Sequence, residues 1–269
     1  MHQPMNYFIS SEQLKAQIGK VVILDCRFNL VDKTLGREQY RTGHIPGAYF
    51  LDLEKDLSGE IGKHGGRHPL PDAETLGNKL RSAGINHHSQ IVVYDDSRMG
   101  YAAHAWWLLR YFGLQEVVIL DGGFNSWVNS GGAIDRREPA LKRGNIELHS
   151  QEDWIVNRDD ILRADSVFTL IDSREAKRFR GEEEPVDPVA GHIPGAINYF
   201  WQDATTEEGF IKPIEEQQHR WKDLTSDNLV VYCGSGVTAC VNVLSLEMIG
   251  IKAKLYPGSW SDWCSYLAE

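Results

Sequence analysis

Cys233 ends a short apolar run, Leu229-Val230-Val231-Tyr232, and opens a stretch of small residues, Gly234-Ser235-Gly236-Val237-Thr238-Ala239. The pattern predicts a buried strand, a tight loop, and a helix from Thr238 to Ile249 that stops at Gly250. A thiol at the mouth of such a loop faces successive backbone N–H groups and a helix N-terminus. Both favour an anion, so a thiolate there is expected to have a depressed pKa and to act as a nucleophile. The alternative is a small buried core cysteine, which has no need of a Gly-x-Gly loop behind it. Gly234 and Gly236 are expected to supply the φ values and close approach that a ring of inward N–H groups requires, from Gly234 through Val237 and Thr238. A plain turn is the simpler alternative for the same glycines.

The other three cysteines, at 26, 240 and 264, are scattered and show no C-x-x-C spacing, which argues against a disulfide framework, a zinc site or a dithiol pair. Cys240 falls inside the expected helix and reads as core packing. The ten histidines, His87-His88 among them, form no ligand-spaced cluster, so neither a metal nor a cofactor is expected. A net charge of -10 removes the basic excess that phosphate neutralisation needs, which argues against nucleic-acid binding. No run approaches the roughly 18 apolar residues of a membrane span. The opening Met1-His2-Gln3-Pro4-Met5-Asn6 lacks a basic and then apolar plan, so the expected location is the cytoplasm.

The chain is written twice. Leu24-Asp25-Cys26-Arg27 returns as Ile171-Asp172-Ser173-Arg174, and Gly43-His44-Ile45-Pro46-Gly47-Ala48 returns intact from Gly191 to Ala196. Val92-Val93-Tyr94-Asp95-Asp96-Ser97 matches Val230 to Ser235, and Asp121-Gly122-Gly123-Phe124 with Trp127 echoes Pro257-Gly258-Ser259-Trp260 with Trp263. Offsets of 147, 148, 138 and 136 residues far exceed a solenoid period, so they mean two homologous domains, expected at 1–135 and 150–269. The segment Asn129 to Ser150 reads as their connection. Strand-like runs (Val21–Asp25, Ile91–Tyr94, Val117–Leu120; Val167–Asp172, Leu229–Tyr232, Lys252–Tyr256) alternate with longer helix-like ones. That predicts an α/β class, each domain a mainly parallel sheet flanked by helices, with ligands beyond the carboxyl ends of the strands, where Cys233 falls. The repeated Gly-His-Ile-Pro-Gly-Ala blocks read as Pro-Gly turns with a locally satisfied histidine. Asp95 stands where the second repeat has Cys233, and a carboxylate cannot act as a thiolate nucleophile. The first domain is therefore expected to be catalytically silent, with Asp95-Asp96-Ser97-Arg98 as an ion-paired surface loop.

These four blocks resemble, over essentially the whole chain, a tandem rhodanese-like sulfurtransferase, and the loop Cys-Gly-Ser-Gly-Val-Thr-Ala resembles the 3-mercaptopyruvate branch. The thiosulfate branch carries basic residues in that loop, and this chain has none. The resemblance implies two steps: Cys233 takes a sulfane sulfur from a small-molecule donor as a persulfide, and a thiol, a thioredoxin-like protein or cyanide removes it. It further implies a triad-like set of Ser235, His68 and, in place of the family's aspartate, Glu54. His68, beside Arg67, can equally be a solvated loop histidine. Arg178, in Arg178-Phe179-Arg180-Gly181, is implied as the ligand of the donor carboxylate, whose two oxygens match paired guanidinium N–H groups. Otherwise Arg178 and Arg180 are a basic pair facing Glu182 and Glu183. Relatives carry a second arginine after Glu-Pro, where this chain has Glu184-Pro185-Val186.

Two other functions have less support. A phosphatase of this fold needs an arginine six residues after the cysteine to clamp a phosphoryl group, and Ala239 stands there. A sulfur carrier that binds partner proteins would still use Cys233, and release of sulfide from a small donor by the purified protein separates it from an enzyme.

Overall fold

The computed structural model describes residues 6–163, 167–225 and 228–268; the reading of the first five residues as lacking a leader lies outside them. Two parallel sheets organise the chain. The first contains β1 (Phe8–Ile9), β2 (Val22–Asp25), β3 (Tyr49–Phe50), β4 (Ile91–Tyr94) and β5 (Val117–Leu120) in the order β1-β5-β4-β2-β3. The second contains β6 (Thr169–Asp172), β7 (Ile197–Asn198), β8 (Leu229–Tyr232) and β9 (Ala253–Leu255) in the order β7-β6-β8-β9. Ile155 bridges Leu255 in parallel at its free edge. The central strands β4 and β8 are buried at every position, as continuous apolar runs covered on both faces must be.

The six runs of apolar residues mark β2, β4, β5, β6, β8 and β9, each observed within its expected bounds. The two-residue strands β1, β3 and β7 give no periodic signal, being too short to alternate. The helix after Cys233 runs Ala239–Met248, one residue inside the expected limits at each end.

The repeated motifs are structural braces. Arg27 lies across Asp25 and donates to Gly43 O (2.8 Å), while Arg174 lies across Asp172 and donates to Gly191 O (2.6 Å). Each pair therefore ties the end of a strand to the start of a Gly-His-Ile-Pro-Gly-Ala block. Within the blocks Ala48 N–H reaches Ile45 O and Ala196 N–H reaches Ile193 O, both at 3.0 Å. Gly47 and Gly195 take φ of 79° and 82°, the third position of a Pro-Gly turn. His44 Nδ1 lies 2.7 Å from Tyr40 O, and His192 Nδ1 lies 2.7 Å from Phe179 O, each ring stacked on the aromatic that precedes it.

The chain divides into two compact units, 1–57 with 71–150 and 205–211, and 58–70 with 151–204 and 212–269. Thus residues 58–70, expected with the first repeat, join the second unit, and 205–211 make the opposite exchange. The segment Asn129 to Ser150, read as a connection, belongs to the first unit, where Asp135 bridges His44 and Lys142 bridges Ala83. Among the described residues no helix is long and apolar enough to cross a membrane.

Candidate active site

At the carboxyl end of β8 the chain turns sharply through residues 233 to 238 before the helix Ala239–Met248 begins. Cys233 is 2% exposed, Ser235 7% and His68 6%, so the chemistry on offer is largely shielded from water. Cys233 N–H donates to Ser259 Oγ (3.1 Å), and Cys233 O accepts from Trp260 N–H (3.0 Å), which pins the cysteine to the first turn of the helix Ser259–Trp263. Ser259 itself sits at φ 55°, and its hydroxyl donates to Tyr256 O (2.9 Å). Cys240 N–H bonds Val237 O (3.2 Å) and Val241 N–H bonds Thr238 O (3.1 Å), closing the loop onto the helix. Among the described residues the N–H groups of 234 to 238 find no acceptor within the protein.

The two glycines have different reasons to be there. Gly236 takes φ of 80°, and a Cβ on it would fall 2.3 Å from Pro257 O, so the position is closed to any side chain. Gly234 has no left-handed φ, contrary to the expectation from sequence. A Cβ there would instead lie 3.2 Å from Arg67 Nη2 and 3.6 and 3.7 Å from the Arg178 Nη atoms. Gly234 keeps the face of the loop open to two guanidinium groups.

The segment 58–70 brings Arg67 and His68 to this loop. Gly59 N–H reaches Pro69 O (2.8 Å) and closes the segment on itself. Gly65 N–H donates to Asp262 Oδ1 (2.7 Å), Arg67 N–H to Ser261 Oγ (3.1 Å), and His64 stacks on Tyr266. Thus anchored, His68 Nδ1 lies 2.8 Å from Ser235 Oγ. This histidine, readable from sequence as a solvated loop residue, is buried and in hydrogen-bond contact with the cysteine loop.

Arg67 and Arg178 share the buried Asp187, and Arg178 also donates to Glu184 Oε1 (2.6 Å). Glu184 is held in turn by Arg174 (3.2 Å) and by the N–H groups of Val186 and Asp187. Burial lowers the pKa of Arg67, a charge on Cys233 acts against that, and Arg178 adds to the lowering. Arg180 pairs with Glu182 on the exposed surface, so of the two arginines only Arg178 faces the loop. Glu54 belongs to the first unit, where its carboxylate pairs with Lys33 Nζ (2.5 Å).

The other three thiols sit in environments that resist ionisation. Burial pushes Cys26 well up, with Asp25 and Asp95 adding to it. Burial and a charge on Cys233 do the same to Cys240, and burial raises Cys264. Among the described residues no group of His, Cys, Asp and Glu could hold a metal ion.

A family model for the rhodanese-like domain matches residues 10–130 and again 157–266. The chain belongs to the rhodanese-like family. It is 41% identical over 266 residues to a Pseudomonas aeruginosa protein provisionally named a 3-mercaptopyruvate sulfurtransferase, covering 95% of this chain and 94% of that one. A Mycobacterium tuberculosis protein provisionally named a thiosulfate sulfurtransferase is 42% identical over 253 residues, covering 91% and 88%. The crystal structure of SseA from Escherichia coli, described as a 3-mercaptopyruvate sulfotransferase, superposes with a TM-score of 0.83 at 32% identity, over 95% of this chain and 99% of that one. The two parallel-sheet domains are rhodanese domains in tandem, and the chain is an enzyme of the sulfurtransferase class.

Within this rhodanese pair the loop after β4 departs from the sequence expectation. Asp95 is no surface ion pair: it is buried, and its carboxylate accepts N–H bonds from Ser97 (2.8 Å), Met99 (3.1 Å), Tyr101 (2.8 Å) and Ala102 (2.8 Å). Arg67 and Asp187 are the site residues that the sequence reading missed. The Arg67-His68-Pro69 run carried the signal for Arg67, but only the anchoring of residues 58–70 in the second unit gives it a role.

Proposed function

We propose that this rhodanese-family enzyme takes sulfur from 3-mercaptopyruvate onto Cys233. The observation that carries the choice of donor is the Ser235–His68 hydrogen bond in the cysteine loop. The Cys233 thiolate attacks the sulfur of the donor; an S–S bond forms while the carbon–sulfur bond breaks, and its electron pair goes to the donor carbon as the enolate of pyruvate. An enolate is a strong base and needs a proton on leaving, which a buried serine hydroxyl in contact with an imidazole is suited to deliver. Sulfite, the leaving group from thiosulfate, is stable as an anion and makes no such demand. The N–H groups from Gly234 through Gly236 and Val237 to Thr238, for which no acceptor is found among the described residues, are left to hold the charge on sulfur, and Arg178 takes the donor carboxylate. In the second step a thiolate acceptor attacks the outer sulfur, forming a new persulfide and returning the Cys233 thiolate; cyanide in the same role leaves as thiocyanate.

The working set is Cys233, Ser235, His68 and Arg178. Glu54, whose carboxylate is engaged by Lys33, is left out. The first domain carries no sulfur, since Asp95 occupies the cysteine position. We take the acceptor to be a low-molecular-weight thiol or a thioredoxin-like protein and the setting to be the reducing cytoplasm, in keeping with four free cysteines. Steady-state rates with mercaptopyruvate and thiosulfate, measured side by side on the full chain and on Ser235→Ala, test the reading. Mercaptopyruvate is expected to have the higher kcat/KM, with Ser235→Ala lowering it about 10²-fold and leaving thiosulfate turnover within about threefold. Thiosulfate as the better donor, with both reactions equally indifferent to Ser235, would overturn the donor assignment and keep the family.

A further inference from the structure

The stretch after Glu184-Pro185 offers no cation, Val186-Asp187 standing there. Something else must balance the negative charge of a carboxylate brought beside a thiolate. Among the described residues the second guanidinium over the cysteine loop belongs to Arg67, whose Nη2 comes closer to the Cβ position of Gly234 than either Nη of Arg178. Asp187, only 2% exposed, ties the two arginines together.

We infer that Arg67 and Arg178 form a two-cation clamp for the carboxylate of the sulfur donor, with Arg67 supplying the second charge from the 58–70 segment. The inference rests on the proposed use of an α-keto carboxylate donor. Three features argue for a clamp over a mere structural tie. Arg67 is half-buried, with 32% of its side chain exposed, while Asp187 beneath it is shut off from solvent; the guanidinium therefore has one face on its counterion and one toward the loop. Its charge interacts with Cys233 itself, the reacting atom's residue. The position between the two guanidiniums and the sulfur is held by Gly234, the one residue type that leaves them uncovered. A planar guanidinium fits two carboxylate oxygens in a way lysine does not, so Arg67→Lys is expected to recover only part of the effect.

The test separates charge recognition from catalysis. Alkylation of Cys233 by iodoacetate, which carries a carboxylate, is measured against alkylation by neutral iodoacetamide, the ratio correcting for access and folding. Arg67→Ala and Arg178→Ala are each expected to lower that ratio about tenfold and Arg67→Lys about threefold, with the double alanine variant losing less than the product of the single losses. In steady state Arg67→Ala should raise KM for mercaptopyruvate about tenfold, with kcat within threefold. A ratio and a KM unchanged in Arg67→Ala, but lowered and raised in Arg178→Ala, would make Arg67 a brace and end the proposal. Should the wild-type enzyme fail to use mercaptopyruvate while its alkylation ratio still depends on Arg67, the donor reading falls and the carboxylate clamp stands.

Discussion

The loops after β4 and β8 start from one sequence plan and reach opposite chemical ends. In both, a four-residue buried strand delivers its next residue to the start of a helix, and that residue's carbonyl accepts an N–H from the following motif, Phe124 for Asp95 and Trp260 for Cys233. In the first unit the delivered side chain is a carboxylate that folds back and takes four backbone N–H groups, two of them in the first turn of the helix Gly100–Tyr111. The anion that such a loop can hold is thus part of the chain. In the second unit the delivered side chain is a thiol too short to do this, and the N–H groups of 234 to 238 keep their capacity for an anion from outside. One residue decides whether the loop is filled or available. The first loop also accepts left-handed φ at Arg98 and Met99, 54° and 58°, a cost that the Asp95 hydrogen bonds offset; the second needs only Gly236.

The strongest way to break the comparison is to remove the thiol. Cys233→Ser should lower turnover by at least about 10³-fold, because no persulfide can form, whereas Cys26→Ser, Cys240→Ser and Cys264→Ser should each stay within about threefold. Mass spectrometry after donor treatment should find added sulfur on Cys233 alone. A well-folded Cys26→Ser protein without activity would undo the assignment of Cys233 as the one sulfur-carrying thiol.

A smaller effect separates the two glycines of the active loop. Gly236→Ala places a Cβ 2.3 Å from Pro257 O at a φ of 80°, and should cost roughly 3 kcal/mol of stability in urea unfolding along with most of the activity. For Gly234→Ala the three nearest atoms are side-chain ends of Arg67 and Arg178 rather than backbone, so stability should change by less than about 0.5 kcal/mol while KM for the donor rises. Equal stability losses would mean that the backbone, and not space for the guanidiniums, demands Gly234.

The smallest effect sharpens the first loop. Burial pushes the Asp95 carboxyl from 3.8 up to about 6 against the pull of its N–H donors. The folded protein therefore holds a proton there that the unfolded chain has already lost. Asp95 makes stability fall as pH rises from about 4 to about 6, by about 1–2 kcal/mol, and contributes no slope above that range. Urea midpoints at pH 4.5 and 6.5 for the wild type and Asp95→Asn measure it: the variant should lack this part of the slope. An identical slope in both proteins would assign the titration to another group.

Sequence alone determined the duplication and the α/β class and singled out Cys233 as the candidate nucleophile, because these are written in local signals. Apolar runs of four residues, Pro-Gly turns and a cysteine before Gly-Ser-Gly each report on neighbours in the chain. The satisfied histidines were legible for the same reason, since the two copies corroborate each other; the Asp-x-Arg blocks were visible only as repeats, and the structure showed them to be braces. What the tertiary structure decided involves partners far apart in the chain. His68 meets Ser235 across 167 positions because residues 58–70 pack into the second unit. Arg67 acquires its place over Gly234 by the same packing, and Asp187 its place beneath both arginines. The inward turn of Asp95 was equally hidden: an Asp-Asp-Ser-Arg string looks like a solvated surface, and only burial of the strand end forces its first carboxylate to find N–H donors nearby.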